Sequence, residues 1–296
     1  MYTATENFDP WVDDFALALV GLVQAAPGKE FAAPIVADYH EEVGIPLARR
    51  LKAAEEAMDF DGARLAGGTP ANLGDHPYFV GLVITLESLE LSACGSTLIS
   101  NTRAVTAAHC KRTSANAGSD FEMVFGSLLL FSGGTRIHIT HEEVEMHEDY
   151  NYNTLENDVA ILKFDWIPYT DVIRPIELYS GDDLLVGSWA QTAGFGRTGE
   201  TTPITIDQFL SHTTLQIIPN DECRTAYGAT TVQDFTICVA TGPTGATCSG
   251  DSGGPLVLDN KLIGITSFAY AIDCEQGFPG GFSRVSYFVP WFAARM

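Results

Sequence analysis

From Gly67 onward the chain is built from short runs of β-branched and aromatic residues, separated by Gly, Asn, Asp and Pro. Clear examples are residues 78–86, 97–107, 159–164 and 262–268. Runs of this length with turn residues between them predict an all-β barrel or sandwich. The C-terminal segment that begins at Pro290 predicts one short helix with proline in its first turn.

The N-terminal 64 residues have a different character. Residues 15–26 form an apolar run that ends in small residues, which is typical of a signal peptide and too short to span a bilayer. Asp13 and Asp14 precede this run where basic residues are usual, which fits a translation start downstream of Met1. The alternative is a short buried helix. We expect a signal region over 1–26 and a separate segment over 27–64, with a helix at 47–58.

Charge and cysteine content exclude several classes of protein. The formal net charge of −22 disfavours a nucleic-acid partner, because phosphates would be repelled. Six cysteines predict disulfides in an exported protein, and none forms a CxxC pair of the kind found in zinc sites. The histidines at 138, 141 and 147 lie among glutamates, but their spacing is not that of HExxH. We expect no metal and no cofactor.

Three segments carry chemistry: Thr106-Ala-Ala-His109-Cys110, Asn157-Asp158-Val-Ala-Ile-Leu, and Cys-Ser-Gly-Asp-Ser252-Gly-Gly-Pro. A serine hydroxyl is a weak nucleophile until an adjacent base accepts its proton. Histidine has a suitable pKa, and a buried carboxylate can orient its ring. Glycines beside the serine let the backbone aim its N–H groups at a developing oxyanion.

These segments resemble the histidine, aspartate and serine segments of the chymotrypsin family, in that family's order. The resemblance runs from Leu65 to the C-terminus. It implies two six-stranded antiparallel barrels, the chymotrypsin fold, with a short C-terminal helix. A protease domain over 65–296 would then follow a signal peptide (1–26) and an activation propeptide (27–64).

The resemblance also implies a role for each site residue. Ser252 would be the nucleophile, His109 the general base and then acid, and Asp158 the residue that orients His109. The backbone N–H groups of Gly250 and Ser252 would form the oxyanion hole. Ser267 would lie on the strand that pairs with the substrate backbone.

The family's disulfide pairing would use all six cysteines, joining Cys94 to Cys110, Cys223 to Cys238 and Cys248 to Cys274. No cysteine would then tether the propeptide, which we expect to leave freely after cleavage.

Activation is expected at Arg64-Leu65, which resembles the family's cleavage site. The new ammonium of Leu65 would pair with Asp251, otherwise a buried unpaired charge. Arg49 and Arg50 are alternative cleavage sites, although neither is followed by the matching motif.

The primary specificity pocket would have Ala246 at its base and Ala269 and Gly280 on its walls. An uncharged base gives Lys and Arg no counter-ion, so we expect cleavage after large apolar residues. The methyl group of Ala269 could narrow the pocket and shift the preference towards Leu, as in elastase-like enzymes.

The leading hypothesis is a secreted serine endopeptidase, similar to insect digestive chymotrypsin-like zymogens, acting outside the cell, for example in the gut lumen. Its partners would be protein substrates, an activating trypsin-like protease and protein protease inhibitors, and we expect a monomer without membrane association. The alternatives are a regulatory or developmental extracellular protease and an inactive protease homologue that acts as a binding protein.

Overall fold

Two antiparallel sheets organise the chain in the computed structural model, which describes residues 38–57, 69–196, 209–241, 251–269 and 278–296. These residues all belong to one unit, Ala32–Met296. The first sheet has the spatial order β6-β5-β2-β3-β4-β8-β7. Its strands are β2 (Phe79–Leu86), β3 (Leu91–Ser100), β4 (Arg103–Thr106), β5 (Gly118–Phe125), β6 (Thr135–Thr140), β7 (Val144–Met146) and β8 (Ala160–Lys163).

The second sheet contains β1 (Thr69–Pro70), β9 (Glu177–Leu178), β10 (Trp189–Gly194), β11 (Ser211–Ile218), β12 (Thr236–Val239), β13 (Pro255–Leu258), β14 (Lys261–Phe268) and β15 (Gly280–Arg284). Its order is β1-β11-β10-β13-β14-β15-β12. Strand β12 also pairs with β11, which closes the sheet into a barrel. The two-residue strand β9 pairs in parallel with β14.

Each sheet has six strands of four or more residues within the described ranges, and the remaining strands have two or three residues. The expected pair of six-stranded antiparallel barrels is therefore confirmed, with short additional strands at their edges. The single run 97–107 proved to contain two strands. The run folds back on itself as a hairpin: residues 101 and 102 form a tight turn, and Ser100 pairs with Arg103.

Helices lie at both ends of the described chain and within the second barrel. A π-helical turn (His40–Gly44) leads into α1 (Ile45–Glu56), α2 spans Asn220–Tyr227, and α3 spans Val285–Ala293. Short 3-10 turns cover Ala108–Cys110 and His141–Glu143. Helix α1 begins two residues before the predicted start, with Pro46 in its first turn, where a missing N–H removes no helical bond.

The C-terminal helix begins earlier than predicted, so Pro290 lies inside it and not in its first turn. An internal proline removes one backbone hydrogen bond. The helix persists because it buries Val285, Phe288, Trp291 and Phe292. Tertiary packing of this apolar face outweighs the local cost. None of the helices in the described part of the chain combines the length and apolar character needed to cross a bilayer.

Two of the three expected disulfides are present. Cys94–Cys110 joins β3 to the 3-10 turn that carries His109, with a Cα–Cα distance of 6.2 Å. Cys223–Cys238 joins α2 to β12. The remaining pair, Cys248 and Cys274, lies outside the described residues, as does the proposed signal region.

Candidate active site

His109 and Asp158 are brought together by the pairing of two neighbouring strands. His109 lies in the 3-10 turn after β4, and Asp158 lies two residues before β8. Strands β4 and β8 are antiparallel partners, with Thr106 opposite Ala160. The end of one strand therefore meets the beginning of the other, so the two motifs become neighbours although they are far apart in sequence.

The Asp158 carboxylate is completely buried and accepts three hydrogen bonds. Its Oδ1 accepts from the backbone N–H of His109 at 2.9 Å. Its Oδ2 faces His109 Nδ1 at 2.8 Å and accepts from the Ser267 hydroxyl at 2.6 Å. Because a carboxylate can only accept, Nδ1 carries the ring proton and Nε2 is left as the acceptor. This is the tautomer that a general base requires.

Ser267 lies in β14, which is the strand expected to pair with the substrate backbone, and its side chain makes a contact that was not predicted. The hydroxyl is buried and points at Asp158. A second serine, Ser283, donates to the Asp158 backbone carbonyl at 2.8 Å. Both come from the second barrel, from β14 and β15. The aspartate therefore sits at the junction of the barrels and is held from both sides.

Ser252 lies in a tight loop that contacts the first barrel. The backbone N–H of Gly95 donates to the Ser252 carbonyl at 2.8 Å, and the N–H of Gly254 donates to the Asp251 carbonyl at 2.9 Å. Gly253 has a φ of +78°, and a Cβ there would collide with the Thr106 hydroxyl and the Gly95 carbonyl. Only glycine fits at this position, which explains the glycine after the serine in the motif.

Asp251 is already hydrogen-bonded in this structure. Its Oδ1 accepts from the Gly196 N–H at 3.0 Å, and the side chain is half-buried. Asp251 therefore already has a backbone donor, and its pairing with a cation after cleavage stays a prediction. Its proposed partner Leu65, the cleavage residue Arg64 and the oxyanion-hole residue Gly250 lie outside the described residues.

Tyr39 packs against the ring of His109. The two rings are 4.8 Å apart between centroids and are tilted by 55°. The Tyr39 hydroxyl donates to the Ala93 carbonyl at 2.7 Å. Burial raises the pKa of this hydroxyl well above its ordinary value, and a hydrogen-bonding interaction with the Ser252 side chain partly opposes that rise. Tyr39 therefore packs against the base and lies near the nucleophile.

The Nε2 atom of His109 is buried and has no hydrogen-bond partner among the residues that the structure describes. This atom should receive the proton of Ser252. Sequence reasoning missed Tyr39, because no motif marks it and residues 27–64 looked like a discarded segment.

The next residue, His40, is also buried. Its Nδ1 lies 2.9 Å from the Ser92 hydroxyl. Burial, with a smaller contribution from the charge of nearby His109, lowers the pKa of His40 to about 3. His40 is therefore neutral at physiological pH.

The specificity pocket is described only in part. Ala269 is half-buried after β14, and Gly280 is buried at the start of β15. Ala246, the expected base of the pocket, lies outside the described residues.

One cluster among the described residues has metal-ligating types, namely Cys94, His109 and Cys110. The two cysteines form a disulfide, so they offer no thiolate. The three histidines considered earlier make separate contacts: His138 with Asp120, His141 with the Gly118 carbonyl, and His147 with the Trp291 ring.

Comparison with known proteins gives concordant matches. A sequence model described as Trypsin matches residues 65–292, a range that includes His109, Asp158 and Ser252. Collagenase from Hypoderma lineatum is 36% identical over 233 residues, which cover 77% of this chain and 85% of that protein. Serine protease 1 from Drosophila melanogaster is 32% identical over 233 residues, covering 77% and 84%. A solved structure of HL collagenase has a TM-score of 0.70 and 35% identity, over 78% of this chain and 98% of that one.

Proposed function

Because the chain belongs to the trypsin family of serine endopeptidases, we propose that it is a secreted digestive protease, made as an inactive precursor, that cleaves after large apolar residues. The observation that carries the catalytic part is the buried Asp158–His109 pair, which holds the imidazole in the tautomer that accepts a proton at Nε2.

In the proposed mechanism, Ser252 Oγ attacks the carbonyl carbon of the scissile peptide bond while His109 Nε2 accepts its proton. The imidazolium that forms is stabilised by Asp158, which Ser267 holds in place. The backbone N–H groups of Gly250 and Ser252 stabilise the oxyanion. His109 then returns its proton to the leaving amine, and water releases the acyl group by the same steps in reverse.

Activation would follow cleavage after Arg64, which separates residues 27–64 from the protease domain. The new ammonium of Leu65 would pair with Asp251 and complete the oxyanion hole. Because Asp251 already accepts a hydrogen bond from Gly196, the ammonium must add to or replace that contact. The match of the family model from residue 65 supports this boundary.

The proposed specificity rests on three small uncharged residues, Ala246, Ala269 and Gly280. A buried cation without a counter-ion is strongly disfavoured, so Arg and Lys substrates should be poor. The partners would be protein substrates, a trypsin-like activating protease and protein inhibitors, and the enzyme would act as a monomer.

Activation and catalysis can be tested together on the full chain. After treatment with trypsin, casein hydrolysis should appear and N-terminal sequencing of the active species should give Leu65-Ala-Gly-Gly. Ser252→Ala should be cleaved in the same way but stay inactive, and Arg64→Gln should gain no activity. Activity in the cleaved Ser252→Ala protein would contradict the mechanism.

Specificity can be tested on the same preparation with peptide p-nitroanilides. We expect Phe, Tyr or Leu substrates to exceed Arg substrates in kcat/KM by about 100-fold or more, since an unpaired buried charge costs several kcal/mol. Ala246→Asp is the matched variant and should improve Arg cleavage. Efficient Arg cleavage by the unmodified enzyme would refute the assigned pocket.

A further inference from the structure

Residues 38–57, which we term the inhibitory segment, are packed on the first barrel. Leu47, Ala48, Leu51 and Ala54 are buried on one face of α1. The first three pack in one apolar cluster with Val83, Ala93 and Leu130 of the barrel, among others. Arg50, Lys52 and Ala53 point outward and are exposed. The helix is therefore amphipathic in the orientation in which it is docked.

Specific hydrogen bonds fix both ends of the inhibitory segment. At its C-terminal end, the Glu55 carboxylate is buried and accepts from the backbone N–H groups of Leu130 at 2.8 Å and Phe131 at 3.0 Å. At its N-terminal end, Tyr39 donates to the Ala93 carbonyl and His40 meets Ser92. A buried carboxylate with two backbone donors indicates a defined binding site, since an unmatched charge would not be buried there.

The N-terminal end of the segment covers the reacting atoms. Tyr39 packs against the His109 ring and interacts with the Ser252 side chain. A substrate must bring its carbonyl carbon to Ser252 Oγ and its leaving nitrogen to His109 Nε2. Because Tyr39 packs on His109 close to Ser252, we expect it to obstruct a substrate that must reach both residues.

We propose that the inhibitory segment is a helical inhibitor of the protease domain and that it stays bound after cleavage following Arg64. This proposal rests on the proposed endopeptidase function. All of the contacts described above are made by residues 38–57, and cleavage after Arg64 leaves every one of them intact. The expectation that the segment leaves freely because no disulfide tethers it overlooked this buried face.

The test uses the full chain with residues 60–64 replaced by the recognition sequence of enteropeptidase. This protease then produces the Leu65 terminus without cutting at Arg49, Arg50 or Lys52. We expect peptidase activity to lag behind the cut and to rise on dilution as the segment dissociates. A synthetic peptide of residues 38–57 should restore inhibition, competitively with substrate.

Two alanine variants at adjacent positions provide the control. Leu51→Ala removes a fully buried side chain and should weaken retention of the segment at least about tenfold, shortening the lag. Arg50→Ala changes an exposed neighbour and should behave like the unmodified chain. Tyr39→Ala should abolish inhibition by the synthetic peptide.

A second readout does not depend on activity. In the Ser252→Ala chain, the cleaved segment should co-elute with the protease domain in gel filtration, and Leu51→Ala should reduce this co-elution. Separation of the two parts immediately after cleavage would overturn the proposal, and so would co-elution accompanied by full activity in the enzyme that retains Ser252. A cleaved enzyme that remains inactive after the segment has been removed would instead refute the proposed function. Co-elution in gel filtration would still show whether the segment stays bound after cleavage.

Discussion

The two sides of the His109 ring are built in different ways. On the Nδ1 side, Asp158 is buried, contacts strands of both barrels and accepts three hydrogen bonds. The rest of the ring's surroundings, which we call the Nε2 side, comprises Tyr39 of the N-terminal segment, which packs against the ring, and the Nε2 atom, which has no hydrogen-bond partner among the described residues. The first side belongs to the barrels, whereas the second is covered by a part of the chain that the proposed cleavage after Arg64 would sever from the protease domain.

The Nδ1 side therefore determines how the catalytic base is oriented, whereas the Nε2 side determines whether a substrate can reach it. The base is held in the correct tautomer while the active site is closed, so opening it requires no rebuilding of the Asp158–His109 pair. A buried imidazole nitrogen without a partner is unfavourable, and that cost is relieved when Tyr39 leaves and Ser252 or water can contact Nε2. Substitutions on the Nδ1 side should therefore change kcat, whereas substitutions on the Nε2 side should change the lag after cleavage and the retention of the segment.

The largest expected effect comes from Asp158→Asn on the Nδ1 side. The amide would favour the wrong tautomer of His109, and kcat should fall by about 10⁴, the loss known for this substitution in the family. The measurement is kcat of the cleaved protein with the segment removed, with circular dichroism to check the fold. Because Tyr39 leaves with the segment, the comparison is the cleaved Tyr39→Ala chain that still holds its segment, which should reach the full kcat without a lag.

If Asp158→Asn kept near-normal turnover, the Nδ1 side would not be the catalytic one. If the cleaved Tyr39→Ala chain that still holds its segment lagged as long as the unmodified chain, Tyr39 would not be the removable cover.

A pair of serines distinguishes the two sides more finely. Ser267 donates to the Asp158 carboxylate, and Ser92 contacts His40 of the inhibitory segment. Hydrogen bonds to charged groups are worth about 1.5–3 kcal/mol, so Ser267→Ala should lower kcat by about 10- to 100-fold. Ser92→Ala should leave kcat intact and instead shorten the lag after cleavage.

Rates at saturating substrate and lag times, measured on both variants, provide the test. Comparing kcat with KM adds a readout that lost packing alone would not move, because Ser267→Ala should lower kcat and leave KM nearly unchanged. Equal effects of the two variants on kcat would remove the distinction between the sides.

The sequence predicted one side of the site much better than the other. The His109 and Asp158 motifs are local and continuous, and each sits at a strand end that the pattern of short apolar runs locates. Two of the disulfides also followed from the family pattern. The contacts of Ser267 and Ser283 with Asp158 depend on where the second barrel meets the first, which no local pattern encodes.

Tyr39 illustrates a second limit of prediction from the sequence. The helix at 47–58 was expected and found as α1, but its partner surface was not, because amphipathic periodicity identifies an apolar face without saying what covers it. Similarly, the hydrogen bond from the Gly196 N–H to Asp251 was not predicted, because the two residues lie 55 positions apart in sequence.

The smallest expected effect concerns pH and the Nε2 side. Docking lowers the pKa of His40 from its ordinary 6.5 to about 3, mainly by burial. The released segment therefore binds a proton below pH 6.5 that the docked segment does not take up until about pH 3. The groups that face His40 are the Ser92 hydroxyl, the Tyr39 ring and the His109 imidazole, and none of them is a carboxylate that could stabilise a protonated His40.

Because the docked segment binds fewer protons than the released one between pH 6.5 and pH 3, a fall in pH favours release of the segment. His40 contributes full docking stability above pH 6.5, and that contribution is lost as the pH falls towards 3. Between pH 7 and pH 5.5 retention of the segment should weaken by about tenfold, measured as co-elution from the cleaved Ser252→Ala chain. His40→Asn, which can still hydrogen-bond Ser92 but does not titrate, should retain the segment equally at both pH values. If unmodified and His40→Asn chains showed the same pH dependence, another group would control release, and the Nε2 side would not be the acid-sensitive one.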